Sequence, residues 1–539
     1  YLMSLGLAPH NILALTFTNK AAREMKQRIA ALEGEATSRR LWMGTFHSIF
    51  SRILRRESEF LGYSSDFTIY DTSDSRNLLK TIIKEMNLDD KVYMPAKIQG
   101  AISMAKNQLF SPERYAQDKE IIEHDMRANV PMTSEIFKVY NARLKASNAM
   151  DFDDLLFNTN VLLRNHPDVL ARYQQQFQFI LVDEYQDTNF SQHLIVKRLA
   201  DAHHRVCVVG DDAQSIYSFR GANIENILNF RKDYPEAKIF KLERNYRSTQ
   251  NIVNAANSLI QKNTEQLEKN VFSKNEVGDR IVVAGAFSDF EEGMIVSNKV
   301  ADLRRSGKAS YGDFAVLYRT NAQSRIFEEA FRKKNIPYRI YGGLSFYQRK
   351  EIKDVIAYFR LVINPNDEEA FKRIINFPAR GIGDTTVGKI AAAAKLHNAS
   401  LWNVLSDPLA FNVNINSGTA KKLAAFREMI ESFLQQLREL SAYDMAMLIT
   451  KQSGVANDAY QDKSPEGMSR QENLEELLGA IHEFTDSRME EGEDNFLLPD
   501  FLSEVSLLTD QDTDKDAEAE KVTMMTIHSA KGLEFKNVF

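Results

Sequence analysis

Short apolar runs recur along this chain and alternate with stretches of helical spacing. The runs suited to buried strands are residues 12–17, 179–182, 206–209, 281–284, 314–318 and 522–527. Such runs, separated by helices, are typical of parallel strands that are covered on both faces. Asn19 follows the first run and is placed to cap a helix over residues 20–32. The pattern therefore predicts an open α/β fold.

Two long stretches interrupt this alternation. Residues 63–150 and 359–520 show helical spacing without strands, and Asp74 is a capping candidate in the first of them. A chain of 539 residues is too long for one hydrophobic core. We expect two parallel-sheet domains, each with a largely helical insertion. The predicted boundaries are 1–62 with 151–245 for the first domain, 63–150 for its insertion, 246–358 with 521–539 for the second domain and 359–520 for its insertion.

The charge of the chain is unevenly distributed. The formal net charge of −6 argues against a nucleic-acid partner when it is taken alone. However, residues 481–520 hold 14 acidic and 2 basic side chains, a local charge of −12, so the rest of the chain carries +6. The first 62 residues hold 9 basic and 5 acidic side chains. Basic surface is therefore available for phosphates, and the acidic stretch is expected to be a solvated segment.

The single cysteine, Cys207, lies in the apolar run 206–209 and is predicted to be an inert core residue. One cysteine cannot form an internal disulfide, which favours a reducing cytoplasm. No apolar run approaches the roughly 20 residues that span a bilayer. We therefore expect no membrane association.

Two acids, Asp183 and Glu184, follow the apolar run 179–182. Ligands of open α/β sheets bind at the carboxyl ends of the strands. There, one carboxylate can hold Mg²⁺ while its neighbour orients or deprotonates a water, as phosphoryl transfer requires. Taken alone, the pair would more often be a polar strand end that caps a helix. Further motifs along the chain decide between these interpretations.

These motifs follow one another in a specific order. The run 206–209 ends in Gly210 and Asp211, and an Asn-Tyr-Arg-Ser-Thr segment follows at 245–249. The order of these motifs and the residues within them resemble those of the UvrD/Rep/PcrA-type superfamily 1 DNA helicases, and within them the PcrA branch. The matching segments are 16–22, 44–48, 151–155, 183–189, 210–222, 245–249, 318–324, 380–383 and 526–535. The resemblance covers the chain end to end.

The resemblance implies two RecA-like motor domains that bind ATP between them. By position, Asp183 is the Mg²⁺ carboxylate, Glu184 is the catalytic base and Gln214 senses the γ-phosphate. Arg247 matches the arginine finger that neutralises charge on the transferred phosphoryl group. The other residues expected at the nucleotide are Tyr246, which would stack on adenine, Gly532 and Glu534.

The resemblance also implies DNA contacts. Phe17, Tyr217 and Phe219 match aromatic residues on which bases stack. The residues expected to contact the strand or its backbone are Asn19, Thr45, His47, Arg319, Asn321 and His528. Gly381 and Gly383 match a segment that grips duplex backbone, where glycines let N–H groups approach a phosphate. Taken alone, Phe17 would be a core residue and segment 380–383 a turn and helix start.

The sequence departs from the family pattern at several points. Phe219 stands where the family usually has Trp, which offers a larger stacking face. No Gly-x-x-x-x-Gly-Lys-Ser/Thr phosphate loop occurs in residues 1–539, and the chain stops at Phe539, before the family's last motif. We expect the loop to precede Tyr1 in a parent protein, and the stretch 1–539 alone to be close to inactive.

The expected function of the parent is that of an ATP-dependent 3′–5′ DNA helicase and single-stranded DNA translocase of repair or replication, with ATP and Mg²⁺ as cofactors. Its expected partners are single-stranded DNA and single-strand/duplex junctions, and it is expected to act as a monomer or weak dimer in the bacterial cytoplasm. Two alternatives stay open: the motor part of a helicase–nuclease, and a non-hydrolysing DNA-binding protein. The sequence beyond the two ends would separate them.

Overall fold

A computed structural model describes residues 1–264, 266–341, 346–461, 465–490, 492, 495–507 and 520–539. Residues 508–519, which hold much of the acidic stretch, lie outside the described residues. The chain forms two compact units. Unit 1 comprises Tyr1–Asp183, Thr188–Val208 and the described part of Tyr347–Leu508. Unit 2 comprises Glu184–Asp187 and the described parts of Val209–Phe346 and Thr509–Phe539.

A four-stranded parallel sheet forms the centre of unit 1. Its strands, in spatial order, are Trp42–Thr45, Ile12–Thr16, Phe179–Val182 and Val206–Val208. The first two strands are fully buried, which agrees with their largely apolar sequence. Because all four strands run in the same direction, the residues that follow them gather at one edge of the sheet. The predicted strands at 12–17, 179–182 and 206–209 are confirmed, the first and last one residue shorter than expected.

Helices make up most of the rest of unit 1. Up to residue 200 they are Asn19–Glu33, Glu35–Arg40, Phe46–Arg56, Thr72–Glu85, Pro95–Asn107, Pro112–Tyr115, Lys119–Arg127, Thr133–Ala146, Phe152–Asn165, Pro167–Gln176 and Phe190–Ala200. From residue 350 they are Lys350–Ile363, Glu368–Ile374, Asp384–His397, Leu401–Ser406, Ser417–Gln436, Ala442–Gln452, Val455–Gln461, Pro465–Glu490 and Leu498–Val505. Both stretches predicted to be helical are therefore largely helical.

The first helical stretch also contains two short strands, which the sequence analysis missed. Thr68–Tyr70 and Ala149–Asp151 pair in parallel at the two ends of the stretch. A buried apolar cluster packs between its helices, with Leu79, Ile82 and Phe137 fully enclosed. Each strand has only three residues, too few for a periodic signal.

Two predicted helix caps are wrong by a few residues. Thr18, not Asn19, accepts the N–H of Ala21 at the start of the first helix. Asp71, not Asp74, is the N-cap of helix Thr72–Glu85, and Asp74 returns the capping-box hydrogen bond from the third helical position. In both places neighbouring polar residues could serve as the cap, and the exact start of the helix selects one.

Unit 2 contains a second parallel sheet. Its strands, in spatial order, are Tyr338–Ile340, Val522–Thr526, Phe314–Tyr318 and Asn537–Val538. The helices of this unit are Glu225–Leu228, Phe230–Asp233, Gln250–Ile260, Asp289–Arg305 and Ser324–Lys333, and Arg244–Asn245 pairs with Phe272–Ser273. The α/β prediction, with two parallel-sheet domains and helical insertions, is confirmed. The predicted strands at 314–318 and 522–527 are also present.

Two other predictions for apolar segments are wrong. Residues 281–284 form no strand, and the side chains of Val282 and Val283 are 83% and 93% exposed. An apolar run becomes a buried strand only where a neighbouring strand accepts its hydrogen bonds, and this run lies outside the described sheet of unit 2. Cys207 is exposed and not in the core, because Val206–Val208 is an edge strand of its sheet.

Among the described residues, no helix combines the length and the apolar character needed to cross a membrane.

Candidate functional site

Asp183 lies at the carboxyl edge of the sheet of unit 1. Strand Phe179–Val182 ends one residue earlier, and the N–H of Asp183 donates to the carbonyl of Leu15 in the neighbouring strand at 2.9 Å. This last ladder hydrogen bond fixes the backbone at the point where the carboxylate leaves the sheet. The position is the one at which ligands of open α/β sheets bind.

Glu184 has an unusual backbone conformation within unit 2. Its φ is +53°, a left-handed value that side chains with a Cβ rarely adopt. The amide of Gln186 donates to Glu184 Oε2 at 2.6 Å, and Gln186 Oε1 accepts the N–H of Asp211 at 3.0 Å. A Cβ on Gly210 would lie 2.4 Å from Gln186 Oε1, so only glycine permits this approach. The Asp-Glu and Gly-Asp motifs are thus joined by an amide to which the sequence analysis gave no role.

Lys531 connects several predicted site residues of unit 2. Its ammonium donates to the carboxylate of Asp187 and to the carbonyl of Gln214 at 2.7 Å, and it lies 3.6 Å from Glu184 Oε2. The same ammonium lies 5.4 Å from the ring centre of Tyr217. The lysine side chain is only 8% exposed, so these contacts are shielded from water. The sequence analysis included Lys531 in a matching segment but assigned it no function, because its partners lie more than 300 positions away in sequence.

Asp187 is buried in this arrangement, which disfavours its charged form. Burial raises the pKa of its carboxyl group, although the hydrogen bond and charge of Lys531 act in the opposite direction. Its Oδ1 atom is buried and has no hydrogen-bond partner. A buried acceptor of this kind can take a further donor, such as a water or a ligand.

Gln214 is held by the aspartate of the second motif. Its amide donates to Asp211 Oδ2 at 2.8 Å. Lys269 contacts the carboxylates of both Asp211 and Asp212. Burial opposes ionisation of Asp211, but the hydrogen bonds from Lys269 and Gln214 outweigh it and lower the pKa of that carboxyl. An ionised Asp211 therefore keeps the Gln214 amide in a defined orientation.

Arg247 and Glu534, both predicted to face the nucleotide, form an ion pair in unit 2. Their side chains are 63% and 65% exposed, so the pair contributes little to stability and can open readily. The N–H of Arg247 donates to Asn245 Oδ1 at 2.9 Å, which shapes the turn that presents the arginine. The ring of Tyr246 is exposed, and the guanidinium of Arg244 lies 4.4 Å from its centre.

Gly532, the remaining predicted nucleotide contact, lies in the same unit. It has a φ of +81°, and among the described residues no atom beyond its chain neighbours lies within 4 Å of the position that a Cβ would occupy. The open space beside this glycine is compatible with a ligand close to the backbone.

Tyr217, Phe219 and His528 form an aromatic cluster in unit 2. The ring centres of Tyr217 and Phe219 are 6.1 Å apart, and that of His528 lies 6.2 Å from Tyr217 and 5.3 Å from Phe219. The Tyr217 hydroxyl donates to the carbonyl of His528 at 2.8 Å. Phe219 is largely exposed. Three residues predicted to contact DNA are therefore brought together, with one ring face open to solvent.

In unit 1, Phe17 and His47 each contact another aromatic ring. Phe17 meets Phe46 edge to face at 6.1 Å, and the ring of His47 lies 4.9 Å from that of Phe152. Burial lowers the pKa of His47 to about 4, so this imidazole is neutral at physiological pH. A neutral His47 can contact DNA through hydrogen bonding or stacking, and its charge does not contribute.

Asn19 and Thr45 already have partners. The Asn19 amide donates to the carbonyl of Leu507 at 2.8 Å. Thr45 is buried and caps helix Phe46–Arg56 by accepting the N–H of Ser48 at 3.2 Å. The Thr45 hydroxyl is thus committed to the helix start, and a DNA contact there would involve mainly the backbone.

Arg319 and Asn321 follow strand Phe314–Tyr318 in unit 2. The N–H of Arg319 donates to Gln323 Oε1 at 2.9 Å, and Asn321 begins a short 3-10 helix that ends at Gln323. This turn places both residues beyond the carboxyl end of a central strand.

Gly381 and Gly383 precede helix Asp384–His397 in unit 1. Gly381 has a φ of +68°, and a Cβ there would lie 2.5 Å from Lys422 Nζ, which donates to the Gly381 carbonyl at 3.1 Å. Gly383 occupies the N-cap position and offers no side chain. The segment combines free helical N–H groups with a nearby ammonium, a combination suited to a phosphate.

Among the described residues, no group of three or more His, Cys, Asp or Glu side chains is arranged to hold a metal ion. Mg²⁺ that accompanies a nucleotide needs no such cluster, because it typically binds one or two carboxylates together with phosphates and waters. The carboxylate of Asp183, which the sequence predicts to hold Mg²⁺, is an oxygen donor of this kind.

Two family profiles together cover nearly the whole chain. The UvrD/REP helicase N-terminal domain matches residues 1–235, and the UvrD-like helicase C-terminal domain matches residues 240–539. Curated relatives include the ATP-dependent DNA helicases PcrA of Leuconostoc citreum, 44% identical over 536 residues, and of Bacillus subtilis, 42% identical over 538 residues. Each alignment covers 99% of this chain, and it covers 70% and 71% of the two relatives respectively. The chain therefore belongs to the UvrD/REP helicase family.

Proposed function

We propose that the complete gene product is an ATP-dependent DNA helicase that moves 3′ to 5′ along single-stranded DNA in repair or replication, in the bacterial cytoplasm. The relatives that match almost all of this chain carry the name ATP-dependent DNA helicase PcrA. One set of contacts in unit 2 gives this proposal its strongest structural support. Lys531 contacts Glu184 and the carbonyl of Gln214, and the same ammonium faces the ring of Tyr217. Groups suited to phosphoryl transfer and a ring suited to base stacking thus share one buried cation.

The proposed chemistry assigns one role to each polar side chain. Asp183 would hold Mg²⁺, and Glu184 would accept the proton of the attacking water. Gln214, oriented by Asp211, responds to the terminal phosphate. Arg247 leaves its exposed ion pair and approaches the charge that develops on the phosphoryl group. Bound Mg²⁺ would supply positive charge that offsets the negative charge of the phosphates.

Nucleotide recognition uses residues that are accessible in unit 2. The exposed ring of Tyr246 offers a stacking face for adenine. Gly532 leaves open space beside the backbone, and Glu534 becomes available when Arg247 moves.

DNA binding is proposed to rest on stacking and on contacts with the backbone. Phe17, Tyr217 and Phe219 would stack on bases, a contact worth ~1–3 kcal/mol per base. The proposed strand contacts are Asn19, Thr45, His47, Arg319, Asn321 and His528, and Gly381 and Gly383 would meet duplex backbone at a junction. In this proposal residues 1–62 with 151–245 and 246–358 with 521–539 are the motor domains, and 63–150 and 359–520 are their insertions.

The segment from Gln214 to Phe219 explains how nucleotide state could reach the DNA. Gln214 is fixed through its amide and its carbonyl, and Tyr217 follows in the same short segment. A shift of Gln214 towards a terminal phosphate would therefore move the stacking rings. Repeated cycles of this shift would advance the strand.

The test is strand displacement by the complete gene product on two matched substrates. One duplex carries a 3′ single-stranded tail and the other a 5′ tail of the same sequence. We expect ATP-dependent unwinding of the 3′-tailed duplex and little unwinding of the other, with none when a non-hydrolysable ATP analogue replaces ATP. Equal unwinding of both substrates would contradict the polarity, and unwinding without hydrolysis would contradict the mechanism.

A further inference from the structure

Asn189 anchors the chain at the start of the first α-helix after the two proposed catalytic acids. It caps helix Phe190–Ala200, with its Oδ1 accepting the N–H of Gln192 at 2.8 Å and its own N–H donating to Gln192 Oε1 at 2.9 Å. Because Oδ1 is used by the cap, the orientation of the amide is settled. Its Nδ2 then donates to Oδ1 of Asn107 at 2.6 Å, in a buried contact.

Asn107 is the last residue of helix Pro95–Asn107, in the first predicted insertion. Its side chain is almost fully engaged. Oδ1 accepts from Asn189, while Nδ2 donates to the carbonyl of Ser103 at 3.0 Å and to Asp153 Oδ1 at 3.1 Å. A side-chain amide can accept on one side and donate two hydrogen bonds on the other. The buried amide therefore links the anchor after the catalytic acids to the start of another helix.

The neighbouring residue strengthens the same junction. Lys106 is 1% exposed and lies 2.7 Å from Asp151 and 2.8 Å from Asp154, at the start of helix Phe152–Asn165. The ammonium thus joins the end of one helix to the beginning of another, where the charges complement both helix dipoles. A junction fastened by a buried ion triad is rigid, so displacement at one side of Asn107 is transmitted to the other.

The far side of this junction faces a residue proposed to contact DNA. Asp153 is adjacent in sequence to Phe152, whose ring lies 4.9 Å from that of His47. The chain of contacts therefore runs from His47 through Phe152 and Asp153 to Asn107, and on to Asn189.

We propose that Asn107 is a positioning residue that makes the setting of the Asp183-Glu184 segment depend on DNA bound near His47. This inference rests on the proposed helicase function and deepens it. Asn107 touches no reacting atom. It acts through Asn189, which fixes where the segment carrying the catalytic acids ends.

The informative substitution is Asn107→Asp. Aspartate has almost the same shape and can still accept from Asn189, but it cannot donate to Asp153 and places a second carboxylate opposite it. The double variant Asn107→Asp with Asp153→Asn restores a donor and an acceptor across the same gap with the direction reversed. Asn158→Asp is the matched control, because Asn158 lies on the helix that carries Asp153 but its amide contacts Met150 Sδ at 3.5 Å and the Tyr63 side chain, outside the chain of contacts through Asn107.

The experiment measures ATP turnover of the complete gene product at saturating single-stranded DNA, together with the KM for ATP, the DNA dissociation constant and the melting temperature. We expect Asn107→Asp to lower the DNA-stimulated kcat roughly tenfold, equal to about 1.4 kcal/mol of barrier, with KM and DNA affinity within a few-fold of wild type. The double variant should recover most of the loss, and Asn158→Asp should behave as wild type.

Several results would overturn the inference. These are a normal kcat in Asn107→Asp, a double variant that recovers nothing, or an equal loss in Asn158→Asp. A wild-type protein whose ATP turnover does not respond to DNA would instead overturn the proposed function.

Discussion

Replacing Glu184 by glutamine exchanges one carboxylate oxygen for an NH2 group, and so tests the proposed catalytic role with little change in structure. The amide of Gln186 donates to Glu184 Oε2 at 2.6 Å, and the oxygen of a glutamine can accept the same hydrogen bond. The ion pair with Lys531 at 3.6 Å is lost, but Lys531 keeps Asp187 and the carbonyl of Gln214. The free energy of unfolding should therefore change by less than about 1 kcal/mol.

The effect on turnover should be much larger. An amide cannot take a proton from the attacking water, and a positioned general base contributes ~10²–10⁴-fold to a rate. Glu184→Gln should therefore add about 3–5 kcal/mol to the barrier of hydrolysis. Nucleotide binding should persist, because it depends on other residues.

The assay is phosphate release by the complete gene product at saturating single-stranded DNA, with a fluorescent ATP analogue to measure nucleotide affinity and a thermal melt to measure stability. Glu328→Gln is the matched control, since it makes the same change in helix Ser324–Lys333 of the same unit. A kcat for Glu184→Gln within threefold of wild type would refute the role of base. A large loss of stability would refute the structural reasoning.

Five further substitutions test other parts of the molecule. Arg247→Ala should lower kcat by ~10³-fold or more with little change in stability, because its ion pair is exposed; phosphate release and a thermal melt measure the two effects. Tyr217→Ala should weaken single-stranded DNA binding by ~1–3 kcal/mol without changing its salt dependence. Arg319→Ala should instead reduce the slope of log affinity against log salt concentration by about one unit. Fluorescence anisotropy at several salt concentrations measures both effects. Lys106→Met should lower the free energy of unfolding by about 3–5 kcal/mol, seen in urea denaturation, because it leaves two buried carboxylates without their cation. In the folded protein, burial lowers the pKa of His47 from 6.5 to about 4. The unfolded chain therefore binds the proton at a higher pH than the folded chain, and the free energy of unfolding decreases as the pH falls between these values. His47→Gln should flatten this part of the pH–stability curve.

Local sequence signals were sufficient for the central elements of the fold. Strand Phe179–Val182 lies where its apolar run predicted, because a parallel strand inside a covered sheet, here with Ile180 and Val182 buried and the other two residues half-buried, is apolar at every position. The acids that follow it could be found for the same reason, since the end of such a strand is marked by the first charged residues. The segment 281–284 has an equally apolar composition and forms no strand, because strand formation also depends on a partner elsewhere in the chain.

The contacts that join the site residues could not be predicted in this way. Lys531 and Asp187 are 344 positions apart, and nothing in either local pattern indicates that they pair. The bridging amide of Gln186 depends on the close approach of Gly210, which only the three-dimensional fold reveals. The exposure of Cys207 likewise follows from the position of its strand at the edge of the sheet. Residue types thus indicated the chemistry, whereas distant contacts set its geometry.

The left-handed backbone at Glu184 has a consequence for directed evolution of this protein. At a φ of +53°, the backbone strain would be smaller for glycine or asparagine than for glutamate, by an amount of order 1 kcal/mol. A library selected for heat resistance alone would therefore be expected to collect glycine or asparagine at this position. Each such variant would be more stable but would lack the proposed proton acceptor. Selection for robustness must accordingly be paired with selection for turnover at every round.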